Sequence, residues 1–380
     1  MISFSDRLNN IQEYYFSQKL KEVNRLQREG KPVINMGIGS PDLPPAASII
    51  EALTECAHLP NAHGYQNYQG IPELRHAFLK FYKSNYQVGG FEPEEVLPLM
   101  GSKEGILHIS MAFANPGDSV LIPDPGYPTY SSVSKMLDLN CVSYPLNEEN
   151  GWYPDFEQLE KEDLKKVKIM WVNYPHMPTG AKADLSVFQK LVDFAIKHEI
   201  LLIHDNPYSF ILEDHPKSIF QIEGAKEVAL ELNSLSKIAN MAGWRIGAVL
   251  GKRVYIEAIT KVKSNVDSGM FLGLQKGAIA ALDLRKAWFD ELNSEYTKRR
   301  ELVWEMLRKL GLSFEKETSG MFVWAKLKGG QDSKSFVDYL LYKKYVFVTP
   351  GDIFGHNGAG WIRFSLCVSQ EKIREAIKRI

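Results

Sequence analysis

Residues 234–247 read SLSKIANMAGWRIG and closely follow the apolar run Val228–Leu232. A mainly apolar run of this length predicts a buried strand, which places Lys237 just beyond the end of a strand. Poor solvation and a nearby cation such as Arg245 both lower the pKa of a lysine from ~10.4. A lower pKa makes the neutral, nucleophilic form of the amine accessible. Alone, a Ser-x-Ser-Lys sequence is more often a solvated turn, so the context of the stretch decides its meaning.

Short apolar runs alternate with helix-like segments between about residues 46 and 275. The helical patterns lie at 103–114, 185–198 and 255–263. Apolar strands that alternate with helices predict an α/β fold with a mostly parallel sheet covered on both faces. We expect seven strands in this larger domain. The apolar runs are Val96–Met100, Ser119–Ile122, Cys141–Tyr144, Ile169–Asn173, Ile200–His204, Val228–Leu232 and Ile246–Leu250.

The remaining chain predicts a second, smaller α/β unit. A long charged helix is expected at 285–310. A second helix, with apolar residues interspersed among polar ones, is expected at 10–29 near the N-terminus. We expect an N-terminal arm at 1–45 that contributes to the small domain and to dimer contacts, a large domain at 46–280 and a small domain at 281–380. The other predicted elements are strands near 322–327, 346–349 and 361–366 and helices at 335–345 and 370–379, the last with Ser369 as N-cap.

Composition narrows the classes of function. The 380 residues carry 45 basic and 46 acidic side chains, so the net charge of −1 gives no electrostatic reason to bind nucleic acid or an anionic membrane. Three scattered cysteines argue against disulfides and structural zinc and favour a reducing compartment. The polar N-terminus lacks a signal-peptide pattern, and no apolar stretch approaches the ~18 residues of a membrane span. We therefore expect a cytoplasmic protein.

Two further segments follow predicted strands, where ligands bind in open α/β sheets. Gly101–Gly105 begins a helix whose free N–H groups could hold an anion, although many helices begin with Gly-Ser. Asp205 could pair with a cationic group of a ligand, although a turn or helix cap is the commoner use of aspartate. The neighbouring His204 lacks a second histidine at helical spacing or a cysteine cluster, so we expect no metal.

Taken together, these residues resemble the class I/II aminotransferases, pyridoxal-phosphate enzymes of fold type I. The matching motifs occur in the family's order over nearly the whole chain. Two tracts, Met36–Pro45 and Lys263–Gly269, look most like the LL-diaminopimelate aminotransferase branch. The motifs are Gly37–Asp42, Tyr65-x-x-x-x-Gly70, Gly101–Gly105, Pro123–Pro128, Tyr174–Gly180, Asp205-x-x-Tyr208, Ser234–Lys237, Gly243–Gly247, Val348–Gly351 and Gly360–Arg363.

The resemblance implies roles for the residues around the cofactor ring, pyridoxal 5'-phosphate. Lys237 would be the Schiff-base lysine and would move the proton between the substrate Cα and the cofactor. Asp205 would pair with the protonated ring nitrogen, since a nearby carboxylate raises the pKa of that nitrogen. Tyr208 would donate to the phenolic oxygen of the ring, and Tyr127 would stack on its face.

The resemblance also implies how the phosphate and the substrate are held. Arg363 would bind the substrate α-carboxylate with its planar fork, and the segment with Ile38 and Gly39 would cover the substrate. Tyr65 would reach the phosphate of a neighbouring subunit, which implies a homodimer. The phosphate would be held by Arg245, Ser234, Ser236 and the turn of Ser102, Lys103 and Glu104.

One position departs from the family pattern. Met177 stands where the family usually has the Asn of Asn-Pro-Thr-Gly. That asparagine donates to the phenolic oxygen of the cofactor, and methionine has no donor. Its loss is expected to raise the pKa of the Lys237–cofactor linkage and to leave Tyr208 as the remaining donor, unless Asn173 compensates. The substitution fits either a retuned chemistry or a slower but ordinary enzyme.

The leading hypothesis is an aminotransferase that exchanges an amino group between an amino acid and a 2-oxo acid by a ping-pong mechanism. The first alternative is a C–S β-lyase on the same fold, because both reactions need the same lysine and the same Cα carbanion. A second alternative is a non-catalytic sensor, for which Met177 is the best support. Such sensors carry a DNA-binding domain ahead of the first motif. Here the first motif begins at Gly37, and we expect the preceding residues to be too few for such a domain.

Overall fold

A computed structural model of the chain describes residues 2–5, 7–8 and 15–380. The α-helices are α1 (Tyr15–Arg28), α2 (Ala47–Ala57), α3 (Pro72–Tyr86), α4 (Ser102–Phe113), α5 (Pro128–Met136), α6 (Phe156–Leu159), α7 (Leu185–His198), α8 (Ala225–Val228), α9 (Leu235–Ile238), α10 (Arg253–Lys263), α11 (Leu272–Leu282), α12 (Lys286–Leu310), α13 (Ser333–Lys344) and α14 (Gln370–Arg379). Short 3-10 helices cover Pro93–Glu95, Ile219–Gln221, Ala242–Trp244, Gly351–Phe354 and His356–Gly358.

The strands follow the predicted apolar runs closely. The last run of the large sheet begins one residue later than predicted, at Gly247, and the first residues of the predicted helix at 10–29 lie outside the described residues. The strands are β1 (Ile34–Asn35), β2 (Val96–Leu99), β3 (Ser119–Asp124), β4 (Asn140–Pro145), β5 (Val167–Val172), β6 (Leu201–Asn206), β7 (Ala229–Ser234), β8 (Gly247–Gly251), β9 (Ser313–Phe314), β10 (Phe322–Lys326), β11 (Val346–Phe347), β12 (Thr349–Pro350) and β13 (Trp361–Ser365).

The large sheet has seven strands in the order β2-β8-β7-β6-β5-β3-β4. The pairs from β7 to β4 are parallel, while β8 is antiparallel to both of its neighbours. This confirms the prediction of a mostly parallel sheet. Every residue of the central strand β7 is buried, whereas most residues of the edge strand β4 are exposed or partly exposed. Burial of both faces explains why the central strands have mainly apolar sequences, with the polar residues of β6 and β7 also buried.

Helices cover both faces of this sheet. Along β5, Ile169 and Trp171 face one hydrophobic cluster with α4 and α10, and Met170 and Val172 face the other with α7. This alternation is the two-residue period of a strand. Full burial of such a side chain contributes roughly 1.5–3 kcal/mol, so the sheet is a rigid support for the residues at its ends.

The register of β6 and β7 places the site. These parallel strands pair Asp205 with Leu232 and Asn206 with Asn233, so both end at the same edge. At the last residue of β7, the Ser234 side chain accepts the backbone N–H of Ser236 and caps the short helix α9, which contains Lys237. The carboxyl ends of two buried strands therefore bring Asp205 and Lys237 to one edge of the sheet.

A second sheet is built by the C-terminal part of the chain, in the order β12-β13-β10-β9. Separately, the N-terminal strand β1 pairs with β11 in parallel, through Ile34 with Val346. The predicted N-cap Ser369 is confirmed, because its side chain accepts the Lys372 N–H. We propose the domain boundaries given above on the basis of these separate sheets. Among the described helices, each is too short or too polar to cross a membrane.

Candidate active site

A cavity of about 590 Å³ opens at the carboxyl edge of the large sheet, where the N-terminal segment and the small sheet meet it. It is lined by most of the residues that the sequence singled out. These are Ile38, Gly39, Ser102, Lys103, Tyr127, Asp205, Tyr208, Ser234, Ser236, Lys237, Arg245 and Arg363. Residues far apart in sequence therefore share one enclosure.

Lys237 projects from α9 into this cavity. Its Nζ donates to the carbonyl oxygen of Gly39 at 2.5 Å. Burial lowers the pKa of Lys237; Cys367 opposes this, and the guanidinium charges of Arg363 and Arg245 lower it further. A lysine in these surroundings gives up its proton more readily than a solvated one, which is what a nucleophilic amine requires.

Asp205 lies at the end of β6 with only 4% of its surface exposed. Its Oδ2 accepts the Tyr130 hydroxyl at 2.8 Å, while Oδ1 is buried without a hydrogen-bond partner. Burial raises the pKa of Asp205 to about 6, against the opposing effects of Tyr130 and His204. A buried oxygen without a donor is costly, and a cationic N–H from a ligand would satisfy it.

Two tyrosines border the same space. Tyr127 precedes α5, and its ring packs edge-on to Tyr130 at 5.5 Å between centroids. Gly126 permits this turn, because a Cβ there would overlap the carbonyl oxygen of Pro123. Tyr208 packs edge-on to Phe322, and burial raises the pKa of its hydroxyl, so the hydroxyl stays protonated and can donate.

The start of α4 forms an anion cradle beside Arg245. Its N-cap is Gly101, with φ +82°, so no capping side chain occupies the first N–H groups. A Cβ at Gly101 would overlap the Arg245 guanidinium, which explains the glycine. Arg245 Nη1 donates to Ser236 Oγ at 3.3 Å. Free N–H groups, a guanidinium and a hydroxyl together suit a phosphate.

Arg363 lies on β13 with 4% of its surface exposed. Its Nη2 donates to the carbonyl oxygen of Gly37 at 2.8 Å, and its guanidinium lies over the rings of Phe322 at 4.0 Å and Phe354 at 4.7 Å. The backbone contact and the two rings fix the plane of the guanidinium. A fixed planar fork is suited to a carboxylate.

Met177 is buried next to Arg363, with its Sδ 3.2 Å from Nη1. The backbone N–H of Met177 donates to Asn173 Oδ1 at 2.8 Å, and Asn173 Nδ2 donates to the carbonyl oxygen of Asp205 at 2.6 Å. Asn173 thus links two strand ends through backbone groups and lines the cavity. These bonds leave one of its amide N–H groups for a ligand.

Two predicted residues do not line the cavity. Tyr65 is 95% exposed, so its predicted reach into a neighbouring subunit stays a prediction. The Glu104 side chain turns away from the cradle and accepts the Met100 N–H at 2.5 Å. The turn contributes Ser102 and Lys103 to the cavity but not the Glu104 carboxylate.

Sequence reasoning missed one wall of the cavity. A face of α1 lines it, together with Tyr130, Phe322 and Phe354. The spacing of the α1 residues is that of one helix face, but nothing in that period says that the face borders a site. The α1 residues are Phe16, Ser17, Leu20, Lys21 and Asn24.

The sheet, the buried lysine at its edge and the anion cradle form the arrangement expected of a pyridoxal-phosphate enzyme of fold type I. The family model described as aminotransferase class I and II matches residues 31–380. The chain belongs to this family and is a pyridoxal-phosphate-dependent aminotransferase.

Three similar proteins illustrate the relationship. The LL-diaminopimelate aminotransferase of Halothermothrix orenii is 39% identical over 378 residues, which are 99% of this chain and 97% of the relative. The substrate-bound structure of BacF from Bacillus subtilis is 39% identical with a TM-score of 0.95, covering 100% of this chain and 97% of that one. A single mutant of Thermus thermophilus aspartate aminotransferase is 26% identical with a TM-score of 0.92, covering 100% and 99%. These relatives support transamination over the β-lyase and sensor alternatives.

Proposed function

We propose that Lys237 bonds the cofactor and that an amino acid and a 2-oxo acid exchange an amino group around it. The observation that carries this proposal is the enclosure of Lys237 with Asp205, Arg245 and Arg363 in one cavity. When bound, pyridoxal phosphate supplies an electrophilic aldehyde carbon and a ring that accepts electrons. The chain's own residues provide orientation and proton transfer.

Asp205 and the cradle would fix the cofactor at its two ends. The unpartnered Oδ1 of Asp205 would accept the ring N–H, while Tyr130 and Asn173 hold the carboxylate and its backbone in place. The first N–H groups of α4 and the Arg245 guanidinium would hold the phosphate. Tyr208 would donate to the phenolic oxygen, and Tyr127 would cover one face of the ring.

Arg363 and Lys237 would act on the substrate. The guanidinium, fixed by Gly37 and the phenylalanine rings, would hold the α-carboxylate. Once Nζ of Lys237 leaves the Gly39 carbonyl, it would take the proton from the substrate Cα and return it later. Ile38 and Gly39 would cover the substrate and exclude water.

We propose that the amino donor carries a second polar group at its far end. Ser17, Lys21 and Asn24 of α1 line the same cavity as Arg363, so a polar group can find partners beyond the α-carboxylate. The compound in the names of several relatives, LL-diaminopimelate, has an amino group and a carboxylate at both ends. It is the first donor to test.

We also propose a homodimer in which Tyr65 reaches the neighbouring phosphate site. The support is the 95% exposure of this aromatic side chain, which has Tyr68 exposed nearby in sequence. Large exposed aromatic side chains are typical of interfaces.

We propose that the protein works in the cytoplasm. The free cysteines Cys56, Cys141 and Cys367 suit the reducing conditions of that compartment.

Borohydride reduction of the holoenzyme tests the central proposal. The reduced cofactor should be found on the peptide that contains Lys237, by mass spectrometry. A label on another lysine, or none, would contradict the assignment. A panel of donors, with LL-diaminopimelate beside alanine, then tests the polar far end through the spectral change to the pyridoxamine form. Equal rates for both donors would remove the substrate proposal but not the role of Lys237.

A further inference from the structure

A buried lysine lies outside the cavity and has no part in the proposed function. Lys263, the last residue of α10, is fully buried. Its Nζ is 3.1 Å from Glu104 Oε1 and 2.5 Å from Asp267 Oδ2. His108 Nε2 is 2.9 Å from the same Glu104 oxygen. We call Glu104, His108, Lys263 and Asp267 the ionic cluster.

The ionic cluster has the ligand types of a metal site, since single ligand atoms of Glu104, His108 and Asp267 lie within 4.8 Å of one another. However, the Lys263 ammonium already stands between the two carboxylates as their cation. Burial raises the pKa of Glu104, but hydrogen bonds with His108 and Asp267 and the Lys263 charge lower it to about 2, so this carboxylate is ionised. The cluster is therefore a set of charged and polar groups that joins two chain segments, 104–108 and 263–267.

One end of the ionic cluster holds the phosphate cradle. Glu104 Oε1 is bound by Lys263, and the other oxygen of the carboxylate accepts the backbone N–H of Met100. This bond closes the turn from Met100 to Glu104, in which Ser102 and Lys103 line the cavity. The position of the cradle thus depends on a carboxylate that Lys263 holds in place.

The other end holds the loop next to Tyr65. Asp267 Oδ1 accepts the Gly269 N–H at 3.0 Å, and Gly269 has φ +82°. A Cβ at Gly269 would lie 2.5 Å from the carbonyl oxygen of Asn67 and 2.8 Å from that of Gln66. The segment that Asp267 fixes is therefore packed directly on the residues that follow Tyr65.

We propose that Lys263 is a positioning residue that sets the phosphate cradle of its own subunit and the Tyr65 loop in one fixed relation. The inference rests on the proposed function, in which the cradle and a Tyr65 side chain both reach cofactor phosphates. Without the ammonium, the partly buried carboxylates of Glu104 and Asp267 would face each other without their shared cation. Their separation would move both the cradle, through Glu104, and the Tyr65 loop, through Asp267.

The test measures cofactor affinity rather than turnover. Apoprotein of the wild type, Lys263→Met, Tyr65→Phe and the double variant is titrated with pyridoxal phosphate, and the dissociation constant is read from the absorbance of the bound form. Lys226→Met is the matched control, because it removes a lysine from a buried partner, Glu95, at a place that does not line the cavity. Urea unfolding of each apoprotein reports whether it is folded.

We expect Lys263→Met to raise the dissociation constant about tenfold or more and Tyr65→Phe to raise it severalfold. Because Lys263→Met releases the Tyr65 loop, the contribution of Tyr65 is already lost in that variant, and the double variant should match Lys263→Met within about twofold. Lys226→Met should change the constant by less than about twofold. If Lys263→Met does not fold, Asp267→Asn replaces it, since that variant leaves Lys263 paired with Glu104.

Independent, multiplicative effects of the two substitutions would overturn the positioning role, as would an unchanged constant in Lys263→Met. A Tyr65→Phe variant with wild-type affinity would remove the role of Tyr65 and this inference with it. Borohydride labelling of Lys237 would still report separately on the proposed function. Failure of that labelling in the wild type is thus distinguishable from failure of the positioning role.

Discussion

The two ends of the cavity are built in different ways. The cofactor side, made by Asp205, Ser234, Lys237 and the start of α4, comes from the ends of strands β6, β7 and β2 of one rigid sheet. The substrate side, made by Gly37–Gly39, Met177, Arg363 and one face of α1, is assembled from segments more than 300 residues apart. Local motifs at strand ends therefore place the residues of the cofactor side, whereas packing between distant segments builds the substrate side.

The largest expected effect tests the cofactor side. Lys237→Ala removes the amine that is proposed to bond the cofactor and to move the Cα proton, so turnover should fall by about 10⁴-fold or more. The cavity keeps Asp205 and Arg245, so the variant should still bind pyridoxal phosphate without a covalent bond. Steady-state transamination and borohydride labelling measure the two effects.

Addition of a small primary amine such as methylamine sharpens this result. The amine can enter the space left by the lysine and should restore part of the proton transfer. Lys182→Ala, at a half-exposed position that does not line the cavity, serves as control and should keep wild-type turnover. Appreciable transamination by Lys237→Ala without added amine would contradict the assignment.

The next largest effect concerns the substrate side. Arg363→Lys keeps the charge but loses the planar fork and its packing on Phe322 and Phe354. We expect kcat/KM to fall about 100-fold for both the amino acid and the 2-oxo acid, mainly through KM, because the α-carboxylate loses two-point binding. Arg300→Lys, which loses a similar packing on Trp304 outside the cavity, should leave kinetics unchanged. An unchanged KM in Arg363→Lys would place the carboxylate elsewhere.

A pH effect on stability tests the buried carboxylate of the cofactor side. In the apoprotein, burial raises the pKa of Asp205 from 3.8 to about 6. The folded state therefore holds this proton more tightly, and the contribution to stability is full below pH 3.8 and lost as the pH rises through 6. Relative to Asp205→Asn, wild-type apoprotein should lose roughly 3 kcal/mol of unfolding free energy between these pH values.

Urea unfolding of both apoproteins at several pH values measures this difference. Asp184→Asn is a control of opposite sign, because hydrogen bonds from Ser186 lower the pKa of Asp184 and its contribution is lost as the pH falls. Parallel stability curves for the wild type and Asp205→Asn would mean that the carboxylate is not desolvated as the structure indicates.

The same contrast explains what could be predicted from the sequence. The strands of the large sheet were found because burial on both faces demands continuous apolar runs. Helix α11 was not predicted, because its sequence, LGLQKGAIAAL, is small and apolar on most sides and has no clear period. Lys237, Asp205 and Arg245 were found because strand ends and contiguous motifs carry them.

Other parts of the site could not be found in this way. The α1 wall and the bond between Arg363 and the Gly37 carbonyl depend on contacts between distant segments, which no local pattern records. Glu104 was placed at the phosphate by its motif, yet its carboxylate is held away by Lys263, 159 residues later. Local motifs show which residues gather, and tertiary packing decides which atoms face the ligand.

The smallest expected effect lies where the two sides meet, at Met177. Met177→Asn would introduce an amide donor next to the proposed position of the cofactor ring. The backbone at this position is already fixed by its hydrogen bond to Asn173. One added hydrogen bond to a charged oxygen should lower the pH midpoint of the holoenzyme's visible absorbance change by about one unit. Met177→Leu, which fills the same space without a donor, should leave the midpoint unchanged. If both variants shift the pH midpoint equally, the midpoint depends on side-chain packing at position 177 and not on a donated hydrogen bond. The substrate side would then affect the cofactor side through the size of this side chain.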